Sequence, residues 1–84
     1  MIRQTVTVSD RLGIHARPSA RIARIASQFQ SRIEIAKGEQ SADAASALDI
    51  MMLAMESGSV VEISAEGTDA EEALAAIVAL FGRE

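Results

Sequence analysis

The sequence predicts an α+β fold in which three helices cover one face of a four-stranded, mainly antiparallel sheet, in the order β-α-β-β-α-β-α. Four short segments alternate apolar and polar residues, and the stretches between them carry apolar residues at helical spacing. Because the strand segments alternate instead of being apolar throughout, one face of the sheet is expected to be solvated. With 84 residues, the chain is expected to form one domain spanning residues 1–84.

The four predicted strands are short and bounded by turn residues. In the first, Val6 and Val8 fall on one side and threonines on the other. In the last, Val61 and Ile63 are expected to face inward. The strands are predicted at residues 2–8, 32–36, 40–43 and 60–65.

The first helix is predicted from Ala16 to about Phe29. Pro18 falls in its first turn, where a missing N–H costs nothing. The spacing predicts an apolar stripe made of Ile22, Ile25, Ala26 and Phe29. The opposite, exposed face is expected to carry Arg17, Arg21, Arg24 and Gln28.

Capping residues mark the other two helices. Ser46 is predicted to be the N-cap of a short helix that continues through Ala54 and stops at 57–58. Thr68 and Glu71 have the spacing of a capping box at the start of the last helix. The apolar stripe and the C-terminal cap of that helix are predicted at Leu74, Ile77, Val78, Phe81 and Gly82.

The composition excludes several classes of function. Cysteine is absent, which rules out disulfides, thiolate zinc sites and a thiol nucleophile. A small fold without disulfide bonds is expected in the reducing cytoplasm. With one His and no carboxylates at ligand spacing, we expect no metal and no cofactor. No apolar run reaches the roughly 18 residues that span a bilayer, so no membrane insertion is expected.

Charge is distributed unevenly along the chain. The net charge is -4, which argues against nucleic acid as a partner. Residues 1–37 carry seven Lys or Arg and two Asp or Glu, whereas residues 38–84 carry one and ten. This asymmetry indicates a positive face built by the first half, although chance combined with acidic helix starts would produce the same numbers.

His15 is the strongest candidate for a chemically reactive side chain. A neutral imidazole is a nucleophile near pH 7, and a phosphoryl group on it would lie beside free N–H groups at a helix N-terminus. Arg17 is placed to donate to the phosphate oxygens, Gly13 allows a close approach of the loop, and Pro18 fixes the helix entry. Three alternatives remain: His15 is an exposed residue without a function, Arg17 is merely solvated, or the histidine belongs to an unrecognised Ser–His–acid triad.

The hexapeptide Gly13-Ile14-His15-Ala16-Arg17-Pro18 resembles the G-[LIM]-H-A-R-P signature of HPr, the histidine-containing phosphocarrier family of the bacterial phosphotransferase system. The resemblance extends over nearly the whole chain. Residues 43–48 are similar to the family's second motif, and residues 63–74 to its fourth strand and last-helix start. It implies the HPr-like open-faced β-sandwich, and a protein that carries phosphate and is not itself an enzyme.

The resemblance also implies roles for particular residues. His15 would carry the phosphoryl group on Nδ1, received from enzyme I and passed to an enzyme IIA-type domain, and Arg17 would steady it. Ser46 matches the position that HPr kinase/phosphorylase modifies in many, but not all, lineages; the same hydroxyl can also be a plain N-cap. An apolar docking surface with a charged rim is expected from Arg17, Arg21, Arg24, Ala47, Leu48, Met51 and Met52.

Several alternatives remain open at this point. Leu48 and Met51 are candidates for the core as well as for the docking surface. Leu12, residues 51–53 and residues 71–81 look more like the nitrogen-related NPr branch than the sugar branch, while Asp49 and Ala54 depart from common family residues. A regulatory binding module, whose phosphorylation state controls docking, competes with the relay, and an unrelated α+β enzyme is a third hypothesis. A monomer is expected for a shuttling carrier.

Overall fold

The alternating and helical segments fold in the predicted order. The computed structural model describes residues 1–11 and 13–81; Leu12 and Gly82, which entered the predictions above, lie outside the described residues. The elements are β1 (Ile2–Thr7), α1 (Ala16–Ala26), β2 (Arg32–Lys37), β3 (Gln40–Asp43), α2 (Ala47–Met52), β4 (Val60–Glu66) and α3 (Ala70–Phe81).

The four strands form one antiparallel sheet in the order β1-β4-β2-β3. Because β1 and β2 both pair antiparallel with β4, they run parallel to each other, and α1 crosses over between them. In the same way α2 connects β3 to β4 across β2. Two such split β-α-β units place their helices against the sheet, and the predicted α+β class is confirmed.

Alternation along the strands builds the core between sheet and helices. Ile35 and Ile63 are partners in the β2–β4 register, and both are fully buried. Glu62 on β4 and Arg32 on β2 have the opposite alternation and are exposed on the other face of the sheet. Each buried aliphatic side chain of this size contributes about 1.5–3 kcal/mol, so the inward positions hold the helices to the sheet.

The helices bury the predicted stripes with small differences. In α1, Ile22 and Ala26 are buried and Ile25 is only partly buried, as is Phe29 beyond the end of the helix. Ser19 completes the buried face of α1 in their place. In α3 the buried residues are Ala73, Leu74, Ile77 and Phe81, and Val78 is partly buried.

Helix α1 ends at Ala26, three residues before the predicted end. The Phe29 N–H donates to the Ala26 carbonyl at 3.2 Å, so the last turn has tightened to three-residue spacing. The N–H groups of Gln30 and Ser31 then donate to the Asp69 carboxylate at 2.9 Å each. This distant carboxylate, which periodicity does not reveal, draws the chain out of the helix.

Helix α2 ends at Met52 and does not continue through Ala54. Lys37 Nζ donates to the carbonyl oxygens of Leu53 at 3.2 Å and Ala54 at 2.7 Å, which satisfies acceptors at the helix end. Ala54 has a φ of 53°, the left-handed conformation of a helix C-terminal cap. The helix therefore stops before Ser57 and Gly58, which were expected to end it.

Helix α3 begins at Ala70, so the predicted capping box at Thr68 is wrong. The Ala73 N–H donates to the Asp69 carbonyl at 2.9 Å, which places Asp69 at the N-cap. Its carboxylate is directed to the end of α1, and it also accepts from the Ser31 hydroxyl at 2.5 Å. Asp69 thus connects the two helices.

Asp69 makes folding dependent on pH. Hydrogen bonds from the Ser31 hydroxyl, and next from the Gln30 N–H, hold the pKa of the Asp69 carboxyl below its usual value. A lowered folded-state pKa gives stability that is present above the unfolded pKa of about 3.9 and is lost as the pH falls through the folded value. We expect Asp69→Asn to lower the melting temperature at pH 7 and to flatten its fall below about pH 4.

Thermal unfolding followed by circular dichroism across this pH range checks the prediction. Glu62→Gln is the matched control, because Glu62 is exposed on the solvated face of the sheet. An acid transition as steep in Asp69→Asn as in the unchanged chain would contradict the assigned role.

The described part of the chain contains neither a candidate membrane span nor a candidate metal cluster. Among residues 1–11 and 13–81, no helix is both long enough and apolar enough to span a bilayer. The same residues contain no group of three or more His, Cys, Asp or Glu side chains arranged to hold a metal ion.

Candidate functional site

The loop between β1 and α1 is held in place by the segment that precedes β4. Val8 and residues 58–59 exchange two backbone hydrogen bonds of 2.8 Å, and the Ile14 N–H donates to the Met55 carbonyl at 2.8 Å. Val8, Ile14 and Met55 are all buried. Both ends of the loop are therefore fixed, and the start of α1 is fixed with them.

Gly13 is required by this attachment. Its φ is +76°, and a Cβ atom at this position would lie 2.6 Å from the Met55 carbonyl oxygen and 3.0 Å from the Glu56 Cα. Contacts of this length are well inside van der Waals separation, and the neighbouring atoms belong to backbone. Only glycine allows the loop to lie this close to residues 55–56.

His15 is the N-cap of α1. Its backbone is extended, with φ −111° and ψ −156°, and its carbonyl accepts from the Ser19 N–H at 2.9 Å. An N-cap side chain normally accepts a hydrogen bond from the helix, but the imidazole of His15 makes no such bond and is exposed. The ring is thus mounted on a fixed backbone while its nitrogens remain accessible.

The helix behind His15 is suited to an anion. The first N–H groups of a helix have no acceptor within it, and Pro18 has no N–H, so Ala16 and Arg17 supply the free donors. No acidic residue lies in the first turn of α1. The N–H groups and the helix dipole therefore favour negative charge beside the His15 ring.

A surface depression of about 350 Å³ lies beside His15. Arg17 and Arg21 line it together with the ring, so two guanidinium side chains share the cavity with the predicted nucleophile. The remaining lining residues are Asp10, Ile14, Pro18, Ile22 and Leu80. The two arginines outnumber the one acidic lining residue, Asp10, so the depression beside the imidazole suits an anionic group presented by a large partner.

Sequence reasoning missed two of these lining residues. Asp10 belongs to no periodic pattern or motif of the sequence, and Leu80 falls outside the predicted apolar stripe of the last helix. Ser9 brings Asp10 and Leu80 close together. Its hydroxyl donates to the Phe81 carbonyl at 2.9 Å and attaches the loop to the end of α3. No local pattern signals a contact between residues 72 positions apart.

Ser46 occupies the N-cap of α2, as predicted. Its Oγ accepts a hydrogen bond from the Asp49 N–H at 3.2 Å, and its own N–H donates to the Asp43 carbonyl at 2.9 Å. The side chain is partly exposed. The hydroxyl therefore caps the helix and remains near the surface.

Helix α2 presents an apolar face to solvent. Leu48 is 66% exposed and Met52 72% exposed, whereas Ile50 is fully buried and supplies the helix's core contact. Leu48 is thus not a core residue, and Met51, at 43%, is exposed as well. Since α1 and α2 are in contact, we define the α1–α2 face as Arg17, Arg21, Arg24, Ala47, Leu48, Met51 and Met52.

The residues predicted from the sequence thus fall into two groups. His15, Arg17 and Arg21 line one depression. Arg24 is exposed further along α1, and Ser46 with the exposed α2 residues lies outside the depression. The site consists of a small anion pocket and an adjoining apolar surface.

Comparison with known proteins identifies the family. The family model described as "PTS HPr component phosphorylation site" matches residues 2–83. "Phosphocarrier protein HPr" of Cupriavidus necator is 36% identical over 81 residues, which cover 96% of this chain and 91% of the relative. "Phosphocarrier protein NPr" of Shewanella violacea is 40% identical over 79 residues, covering 94% and 87%.

Solved structures agree with this result. The phosphocarrier protein HPr of Bacillus anthracis superposes with a TM-score of 0.91 at 40% identity, covering 95% of each chain. Bacillus subtilis Crh, whose structure is described as a dimer with a swapping domain, gives 0.77 at 33% identity, covering 96% of this chain and 93% of that one.

The fold and the matching family model are those of small phosphoryl-group carrier proteins. The chain belongs to the HPr family of phosphocarrier proteins of the phosphotransferase system, which includes HPr and NPr. It is accordingly a carrier and not an enzyme, and the hypothesis of an unrelated α+β enzyme is excluded.

Proposed function

We propose that His15 is the phosphoryl carrier of this chain, accepting the group from phospho-enzyme I and passing it to an enzyme IIA-type domain. The observation that carries the proposal is the exposed imidazole at the start of α1, free of any capping bond. A ring nitrogen of His15 attacks phosphorus, the bond from phosphorus to the donor histidine breaks, and the donor ring keeps the electron pair. On transfer to the acceptor, a group of the acceptor attacks phosphorus, the bond from phosphorus to His15 breaks, and the His15 ring keeps the electron pair.

The surroundings of His15 favour this exchange. The free N–H groups of Ala16 and Arg17 offer hydrogen bonds to phosphoryl oxygens, and the helix dipole adds a positive potential. The depression leaves room for the donor and acceptor residues to approach the ring. The site holds the group without burying it, which suits a carrier that must release it again.

The direct test is phosphorylation in solution. Purified chain, enzyme I and phosphoenolpyruvate are mixed, and intact-mass spectrometry follows the addition of one phosphoryl group. A phosphoimidazole is expected to be lost in acid and retained in base. A label that survives acid, or no label at all, would overturn the proposal.

Arg17 is proposed to stabilise the phosphoryl group. Its side chain lines the depression with His15, and a guanidinium forks onto two phosphate oxygens. We expect Arg17→Ala to slow transfer from enzyme I roughly 10- to 100-fold, since a charge-assisted hydrogen bond is worth about 1.5–3 kcal/mol. Quench-flow labelling measures the rate, and Arg32→Ala, which removes an exposed guanidinium on the opposite face of the sheet, is the control.

An Arg17→Ala rate equal to that of the Arg32→Ala control would mean that Arg17 is only a solvated helix residue. Loss of all labelling would instead show that the guanidinium is indispensable, contrary to a supporting role.

Ser46 is proposed to be a regulatory phosphorylation site. Its hydroxyl is partly exposed at the N-cap of α2, next to the apolar side chains of Ala47 and Leu48. A phosphate would place about -1.5 to -2 charges beside this docking surface and disfavour an acidic or apolar partner. Modification by an HPr kinase/phosphorylase would thus weaken docking, which is how a regulatory binding role coexists with the relay.

Two variants separate charge from capping at Ser46. Asp and Asn both serve as N-caps, but only Asp adds a negative charge. We expect Ser46→Asp to weaken binding to enzyme I about 10-fold, with Ser46→Asn close to the unchanged chain. Isothermal titration calorimetry measures both affinities, and equal weakening by the two variants would attribute the effect to the cap.

The remaining proposals concern the setting of the carrier. We place it in the cytoplasm as a monomer, since a shuttle must expose the same face to successive partners; sedimentation equilibrium tests the oligomeric state. The similarity to NPr as well as HPr leaves the terminal acceptor as either a sugar permease system or a nitrogen-regulatory enzyme IIA. Labelling by enzyme I of each branch distinguishes them.

A further inference from the structure

Charges of opposite sign lie on the two helices of the α1–α2 face. Helix α1 carries three exposed arginines and no acidic residue, while the only charge on α2 is Asp49. Residues 38–82, which include Asp49, contain nine Asp or Glu and no Lys or Arg. The α1–α2 face is therefore basic along α1, and Asp49 places one negative charge beside it on α2.

The Asp49 carboxylate lies in the first turn of α2, where the helix dipole favours a negative charge, but it does not tie α2 to another part of the described chain. Asp43 uses its carboxylate to accept from the Ala45 N–H at 2.9 Å, and Asp69 connects α1 to α3. Asp49 contributes only its backbone N–H, to Ser46 Oγ. Within the described ranges 1–11 and 13–81, its carboxylate makes no hydrogen bond or ion pair, and the side chain is exposed.

The position of Asp49 puts this unused charge beside the apolar residues of α2. Leu48 precedes it in sequence, and Met52 lines a second surface depression with it. A carboxylate at the edge of an apolar contact surface stays hydrated when the chain is free. On docking it meets whatever charge the partner presents there, and no internal partner competes for it.

We propose that Asp49 is a specificity-determining residue that selects partners carrying a Lys or Arg opposite α2 and acidic side chains opposite the arginines of α1. This inference rests on the proposed phosphocarrier function. A partner acidic along its whole contact surface would place like charges together at Asp49, and such juxtapositions suppress wrong pairings. The α1 arginines alone would accept a partner that is acidic throughout as well as one with a basic residue opposite α2. Asp49 would favour the second.

The experiment compares two purified donors, enzyme I of the sugar branch and enzyme I of the nitrogen branch. Calorimetry gives the Kd of each for the unchanged chain, for Asp49→Lys and for Asp49→Asn, at low and high salt. We expect Asp49→Lys to change the ratio of the two Kd values at least about 10-fold, by weakening the preferred donor and strengthening the other. Asp49→Asn should change it in the same direction, and high salt should reduce both effects.

Glu62→Lys is the matched control, since it makes the same change of charge at an exposed position on the opposite face of the sheet. A ratio that changes less than about 10-fold in Asp49→Lys, or equally in Glu62→Lys, overturns the inference. Labelling of His15 in the unchanged chain is scored separately. If His15 is labelled but the ratio of the two Kd values is unaltered, only the role of Asp49 is refuted. If His15 is not labelled, the proposed function itself is refuted.

Discussion

Replacing His15 with alanine should abolish phosphorylation by enzyme I and phosphoenolpyruvate. The chain contains a single histidine, so the variant has no imidazole left to accept the group. The loss should be complete, because the N–H groups and Arg17 can bind phosphate but offer no nucleophile. Intact-mass spectrometry after incubation with enzyme I gives the occupied fraction directly.

The fold of the His15→Ala variant should be unaffected. The side chain is exposed and makes no capping hydrogen bond, so its removal exposes no cavity. Surface substitutions of this kind usually change the free energy of unfolding by less than about 0.5 kcal/mol. Any acid-labile label on a folded variant would place the carrier at another residue and refute the assignment of His15.

The fold was predictable because its signals are local. Ile35 and Ile63 sit in alternating stretches that show their faces without knowledge of the partner strand. The helix ends were not predictable, since α1 ends where a carboxylate 38 positions away takes its N–H groups and α2 ends where Lys37, 16 positions away from Leu53, caps it. Periodicity reports which face is buried, whereas the end of an element depends on tertiary contacts.

The candidate site shows the same division. His15 and Arg17 belong to one short motif, so the sequence alone indicates the pair. Whether Leu48 faces the core or solvent depends on the angle at which α2 lies, and the structure shows that Ile50 takes the inward position. The Asp49 carboxylate becomes informative only when the structure shows it exposed beside the exposed side chains of Leu48 and Met52.

Gly13→Ala should be the most damaging single-methyl substitution in the loop that carries His15. The added Cβ would meet the Met55 carbonyl oxygen at 2.6 Å, and the left-handed backbone costs a non-glycine residue about 1–2 kcal/mol in addition. Relief of the overlap requires the loop to move away from residues 55–56, at an overpacking cost of about 1–3 kcal/mol. We expect a total loss of about 2–5 kcal/mol, a large fraction of the stability of a small domain.

Gly38→Ala separates strain from overlap. Gly38 also has a positive φ, +61°, but its Cβ would meet nothing within 4 Å, so this variant should lose only the backbone term. Urea unfolding of both variants measures the difference, and equal losses of unfolding free energy would contradict the requirement for close approach at Gly13.

In folded Gly13→Ala the phosphotransfer rate should also fall, because Gly13 lies two residues before His15. A shift of about 1 Å in a reacting group can lower a rate about 100-fold. Gly38→Ala should transfer at the normal rate, because its turn between β2 and β3 does not position the ring.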